Sequence, residues 1–263
     1  MIRLLYLVLF LVLLRPVPCS ASEPVDFYFY FPDSSQVNLS HLKREMDRFL
    51  SQAGLSARFQ PFAHKIDFDN TLKSSRPALV FLPEWYYRCH GRELGLIPLL
   101  TPLRQGRPDY TKLLLVRKNA PWRLADFSGR TVAMTTMGSD SGETMNRPLF
   151  NGKKVDLLKN HIVNISKDAD AFFAVALGHV DAALVGRDTL STVGKLDTKL
   201  VEMLEPLIES NPIPMPLLCM VAGRLDPANI ELVKKIFMAQ NGGSPSPAIM
   251  EMLHIDGWQT LSN

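Results

Sequence analysis

The sequence predicts an α/β protein of two lobes, each a mixed sheet flanked by helices. Strand-like and helix-like segments alternate with short loops between them, the pattern of sheets covered by helices. The alternation starts a second cycle after Pro121, and the last third of the chain returns to strand and helix. The chain has 263 residues, 46% hydrophobic and 21% charged. That suits one large domain or two of about 100–150 residues each, and is too apolar for a disordered segment.

The elements follow in order. Val25–Phe31 is an aromatic-rich strand ended by Pro32-Asp33-Ser34-Ser35. Ser40 is a candidate cap for a helix whose apolar face is Leu42, Met46, Phe49 and Leu50, closed by Gly54. Ala57–Pro61, Pro77–Pro83 and Leu96–Leu100 read as strands, and Tyr110–Arg117 (YTKLLLVR) is the most strand-like run of all. In the second cycle, Pro121–Gly129 is a turn with a short helix, and Arg130–Thr136 is a strand. Gly138–Gly142 is a polar loop with helical sequence after it, Asn160–Ile165 a strand, Ala169–Gly178 a helix and Val180–Val185 a strand. Strand returns at Leu217–Ala222. A helix from Pro227 to about Ala239 has Asp226 as cap and proline at its first position, and Pro247–Leu253 is a last short helix. The expected organisation is a signal segment (1–21), a discontinuous first lobe (22–112 with 213–263) and a second lobe (113–212).

Residues 1–21 read as a cleavable export signal. Arg3 precedes the apolar run Leu4–Leu14, Arg15, Pro16 and Pro18 stop any helix, and Cys19 and Ala21 supply small residues at −3 and −1. The run has 11 residues where a spanning helix needs roughly 20. A lipoprotein at Cys19 is disfavoured by Pro18 before it. The expected location is the periplasm. Of the two later cysteines, Cys219 lies in an apolar run and is expected to be a buried free thiol rather than half of a disulfide with Cys89.

The formal charge is +3, from 29 basic and 26 acidic side chains, with no basic run of the kind nucleic acid requires. Six histidines form no metal-binding spacing, and neither a G-x-S-x-G elbow, a G-x-x-x-x-G-K-[ST] loop nor a G-x-G-x-x-G turn is present. No metal, cofactor or catalytic machinery is expected. One segment carries chemistry. In Thr135-Thr136-Met137-Gly138-Ser139-Asp140-Ser141-Gly142, hydroxyls and free amides meet a helix N-terminus, which favours an anion, and the glycines admit a close approach. The same residues serve equally as an ordinary N-cap, and Asp140 repels an anion unless a cation offsets it.

Four segments in order resemble the phosphate/phosphonate-type substrate-binding proteins of ABC importers, in the type 2 periplasmic binding protein superfamily. They are LVFLPEWYY (79–87), GRPDYTKLLLVRKNAPWRLADFSGRTVAM (106–134), GSDSGE (138–143) and ISKDADAFFAVALGHVDAALV (165–185), and HIDGW (254–258) is similar to that family's closing element. The resemblance implies two α/β lobes joined by crossing strands, with Tyr110–Lys118 as one crossing and Leu217–Ala222 beginning or following the other. A small anion or zwitterion sits in the cleft between the lobes. It further implies that Ser139, Asp140, Ser141 and Gly142, with Thr136, hold ligand oxygens, and that Tyr87, with Tyr86 beside it, and Lys167 complete the shell. Ser210 and Asn211 resemble the polar stretch before the return strand. The chain departs from the pattern at Phe68, where the family has a tyrosine, at Lys167, where it has a histidine, and at Pro83-Glu84 in place of Gly-Pro. An amphoteric ligand suits Asp140 and Glu84. The implied partner is an ABC permease, or alternatively a membrane sensor kinase, with the protein a monomer and not an enzyme.

Overall fold

The computed structural model describes residues 23–31, 37–135, 150, 152–153, 155–165, 167–195, 197–240 and 246–261. In chain order the elements are β1 (Val25–Tyr30), α1 (Leu39–Gln52), β2 (Ala57–Phe62), α2 (Lys65–Ser74), β3 (Leu79–Leu82), α3 (Glu84–His90), β4 (Leu96–Leu103), β5 (Asp109–Tyr110) and β6 (Lys112–Arg117). Then come β7 (Thr131–Thr135), β8 (His161–Ile165), α4 (Asp168–Ala176), β9 (Ala182–Gly186), α5 (Arg187–Gly194), α6 (Thr198–Glu202) and β10 (Leu204–Glu209). The chain closes with β11 (Ile213–Pro214), β12 (Leu217–Val221), α7 (Pro227–Met238), α8 (Pro247–Leu253) and β13 (Gly257–Thr260).

Two mixed sheets result, in the orders β13-β4-β12-β3-β1-β2 and β10-β6-β9-β7-β8, with a β11-β5 ribbon besides. The alternation of β1 shows how one strand builds two cores. Phe27, Phe29 and Phe31 face a cluster under α1, α7 and α8, while Tyr28 and Tyr30 face a second cluster under α2 and α3. Phe29 stacks on Phe81 at 5.0 Å and Phe27 meets Phe59 edge-on at 5.1 Å. In the second sheet, Leu113, Leu115, Ala183 and Val185 meet Phe172 and Val175 of α4; Leu114, Val116 and Leu184 face the other way, toward Trp122 and Phe127.

Several local expectations change. The cap of α1 is Asn38, not Ser40: the Asn38 side chain accepts from the His41 amide at 3.0 Å, and Ser40 already lies inside the first turn. Gly54 does turn the chain out of that helix, with φ of +83°. The run Tyr110–Arg117 is two strands, because Thr111 is where the chain leaves the β11 ribbon and joins the second sheet. The return crossing runs through β10 and β11. β12 comes after it, between β3 and β4 of the first sheet.

Cys219 is fully buried, and burial pushes its thiol up to about 12, whereas Cys89 is exposed. A thiolate-directed alkylating reagent at pH 8 is therefore expected to modify Cys89 in the native protein and Cys219 only after denaturation, as read by peptide mapping. Modification of Cys219 at the native rate of Cys89 would contradict this burial.

Candidate functional site

β7, β8 and β9 run parallel, as do β1, β2 and β3, and in open α/β sheets ligands sit beyond the carboxyl ends of such strands. At the end of β7 the candidates Thr136, Ser139, Asp140, Ser141 and Gly142 lie outside the described residues. The base on which that loop starts is described.

Its centre is Lys112, the first residue of β6. The side chain is 2% exposed, which a lysine tolerates only when its charge is met. Its Nζ donates to Thr135 Oγ1 at 3.2 Å and stands 3.7 Å from Asp168 Oδ1. Thr135 in turn donates its hydroxyl to Asp168 Oδ1 at 3.1 Å, and Asp168 Oδ2 accepts the Gly186 amide at 2.6 Å. One carboxylate at the start of α4 thus ties the ends of β7 and β9 to the beginning of β6. Ser210 completes the arrangement: its Oγ accepts the Lys112 amide at 2.9 Å and its own amide donates to the Lys112 carbonyl at 2.8 Å. Sequence reasoning passed over Lys112 and Asp168 as site residues and took Thr135 only as the start of the polar segment. The available signal was a single lysine inside an apolar strand run.

The remaining candidates fall in different places. Lys167 is exposed at the N-cap position of α4, next to Asp168, and its side chain makes no capping bond. Tyr86 is 4% exposed and donates its hydroxyl to Asp69 Oδ1 at 2.8 Å, and Lys65 binds the other oxygen of Asp69 at 2.8 Å. Burial and the Asp69 bond raise the Tyr86 phenol far above its ordinary value. Tyr86 therefore sits in the first-lobe core beside Phe68, itself fully buried, while Tyr87 on the same short helix is half-buried against that cluster. Glu84 is not a free acid at the mouth, because Arg88 pairs with it at 2.9 Å one turn along α3. Burial nonetheless raises the Glu84 carboxyl, against the pull of Arg88.

Between the lobes a cavity of about 490 Å³ opens beside the crossing strands. The first lobe contributes Arg104, Gln105 and His254, and the second contributes Asp168, Gly186 and Asp188. Gln105 Nε2 donates to Asp188 Oδ1 at 3.0 Å, a direct bridge from one lobe to the other. Among the described residues, no group of three His, Cys, Asp or Glu side chains is placed to hold a metal, and no helix is long and apolar enough to cross a membrane.

A family model described as "ABC transporter, phosphonate, periplasmic substrate-binding protein" matches residues 29–263. No curated protein matches the chain significantly. Among solved structures, the chain is similar to a binding protein component of an ABC phosphonate transporter from Pseudomonas aeruginosa, at 15% identity and a TM-score of 0.67, covering 91% of this chain and 82% of that one. It is likewise similar to PhnD1 from Prochlorococcus marinus in complex with methylphosphonate (12%, TM-score 0.68, 92% and 93% covered). The periplasmic aliphatic sulphonate binding protein SsuA from Escherichia coli is a third (14%, TM-score 0.54, 92% and 87%). At these identities the likeness is one of fold: two sheets flanked by helices, as in type 2 periplasmic binding proteins.

Proposed function

The chain belongs to the periplasmic substrate-binding protein family of phosphonate ABC transporters, and from that premise we propose that it captures a small phosphonate-like or phosphate-like oxyanion between its lobes and delivers it to an ABC permease. In this reading residues 1–21 direct export to the periplasm, residues 22–112 with 213–263 form one lobe, and residues 113–212 form the other. The protein works as a monomer and carries out no covalent chemistry. Ligand oxygens dock on the amides and hydroxyls of Ser139, Asp140, Ser141 and Gly142, with Thr136 at the start of the loop. Tyr87 and Lys167 approach from either side, and Tyr86 stiffens the helix that carries Tyr87.

The observation that supports this reading best is the buried Lys112–Thr135–Asp168 cluster. It anchors the last residue before the proposed loop and puts a fixed ammonium within 3.2 Å of that residue's hydroxyl. A ligand that bridges the lobes stabilises the closed form and shifts the population toward it, which a permease can then read.

Thermal unfolding with methylphosphonate, phosphate, phosphite and sulfate tests the proposal. A true ligand at a hundred times its dissociation constant is expected to add about 2.7 kcal/mol of stability. The double variant Ser139→Ala with Ser141→Ala is expected to lose that gain. A ligand-induced shift that survives the double variant would place the binding site elsewhere.

A further inference from the structure

Arg104 is fixed, charged and uncommitted at the wall of the interlobe cavity. Its Nε donates to the His254 carbonyl at 3.0 Å, and its guanidinium lies over the Tyr110 ring at 5.3 Å. Those contacts hold the side chain in place through one nitrogen and one face. Among the described residues no carboxylate pairs with it and its terminal nitrogens have no hydrogen-bond partner. The acids around the cavity are each engaged already. Asp109 binds Arg107 at 2.6 Å, Glu209 binds Arg187, Asp188 accepts from Gln105, and Asp168 is held by Thr135, Gly186 and Lys112. What remains is a pre-set planar fork of N–H donors, the geometry that matches a carboxylate in bidentate fashion.

The cavity also has room. About 490 Å³ lies within the range of small-molecule pockets and exceeds what one oxyanion group fills. Asp168 belongs both to this cavity and to the cluster that anchors Thr135, so the cavity adjoins the place where the proposed oxyanion loop begins.

We propose that this cavity is a second subsite of the same cleft, in which Arg104 receives a carboxylate carried on the organic part of a phosphonate ligand. The inference rests on the reading of the cleft given above and names its substrate class: a carboxyalkyl phosphonate, negative at both ends.

Calorimetric titration with three probes tests it: methylphosphonate, 2-aminoethylphosphonate and 3-phosphonopropionate. The expected result is that 3-phosphonopropionate binds at least tenfold more tightly than methylphosphonate. Arg104→Met should bring that ratio to about one, and Arg104→Lys, which keeps the charge without the fork, should retain part of it. Equal or weaker binding of the carboxylated probe, a preference for the amine, or a ratio that persists in Arg104→Met would overturn the subsite while leaving phosphonate capture intact. Failure of all three probes to bind would overturn the underlying reading and the subsite with it.

Discussion

Lys112→Met is expected to destabilise the protein by about 3 kcal/mol in urea unfolding, because it strips the counter-charge from a partly buried carboxylate. The side chains have similar length, so the loss is one of charge rather than of packing. Asp168 is 18% exposed and keeps its bonds from Thr135 and the Gly186 amide, which puts the expected cost at the low end for a broken buried pair. The double variant Lys112→Met with Asp168→Asn should be more stable than the sum of the two single effects predicts, since the neutral amide no longer needs the ammonium. Strict additivity would mean that the two side chains do not act as a pair.

Phe68→Ala is expected to cost about 3–5 kcal/mol, the range for emptying a fully buried aromatic position. The ring stacks on Tyr30 at 5.1 Å and meets Phe62 and Tyr86 edge-on at 5.5 and 5.3 Å, so its removal opens a void shared by three neighbours. Phe68→Tyr is the sharper comparison, because the family pattern places a tyrosine here. In this packing the added hydroxyl has to be buried, and the expected cost is about 1–3 kcal/mol unless it finds an acceptor. Chemical denaturation of both variants checks the pair. A stable Phe68→Ala protein would mean that the aromatic cluster collapses to fill the gap.

Much of the architecture was legible because strand periodicity is simple where both faces are buried. β1, β3, β6, β7 and β9 each sit on a continuous apolar run, and α7 carries the expected Asp226 cap, whose side chain accepts from the Asn229 amide at 2.8 Å. The unread elements had weak local signals. α2 buries only Phe68 and Leu72, a single i,i+4 pair. β10 is an edge strand that contains Pro206 beside a register shift, a composition that argues against strand when no partner is known. Chain order revealed the family, yet the buried charge at the end of β7 stayed hidden. Lys112 and Asp168 are 56 positions apart, and only the strand order β6-β9-β7 brings them together.

In the proposed capture, the Ser210–Lys112 clasp is the point about which the two sheets would turn. Its two hydrogen bonds, one to the Ser210 hydroxyl and one from the Ser210 amide, are made where the outgoing chain enters the second sheet and the returning chain leaves it, which makes it the axle for the proposed closure. The side chain mounted on that axle is also the buried ammonium at the end of β7. In the proposed capture, opening and shutting would swing the walls around a stationary cation, so that the pull on a solute's charge is in position before the jaws engage it.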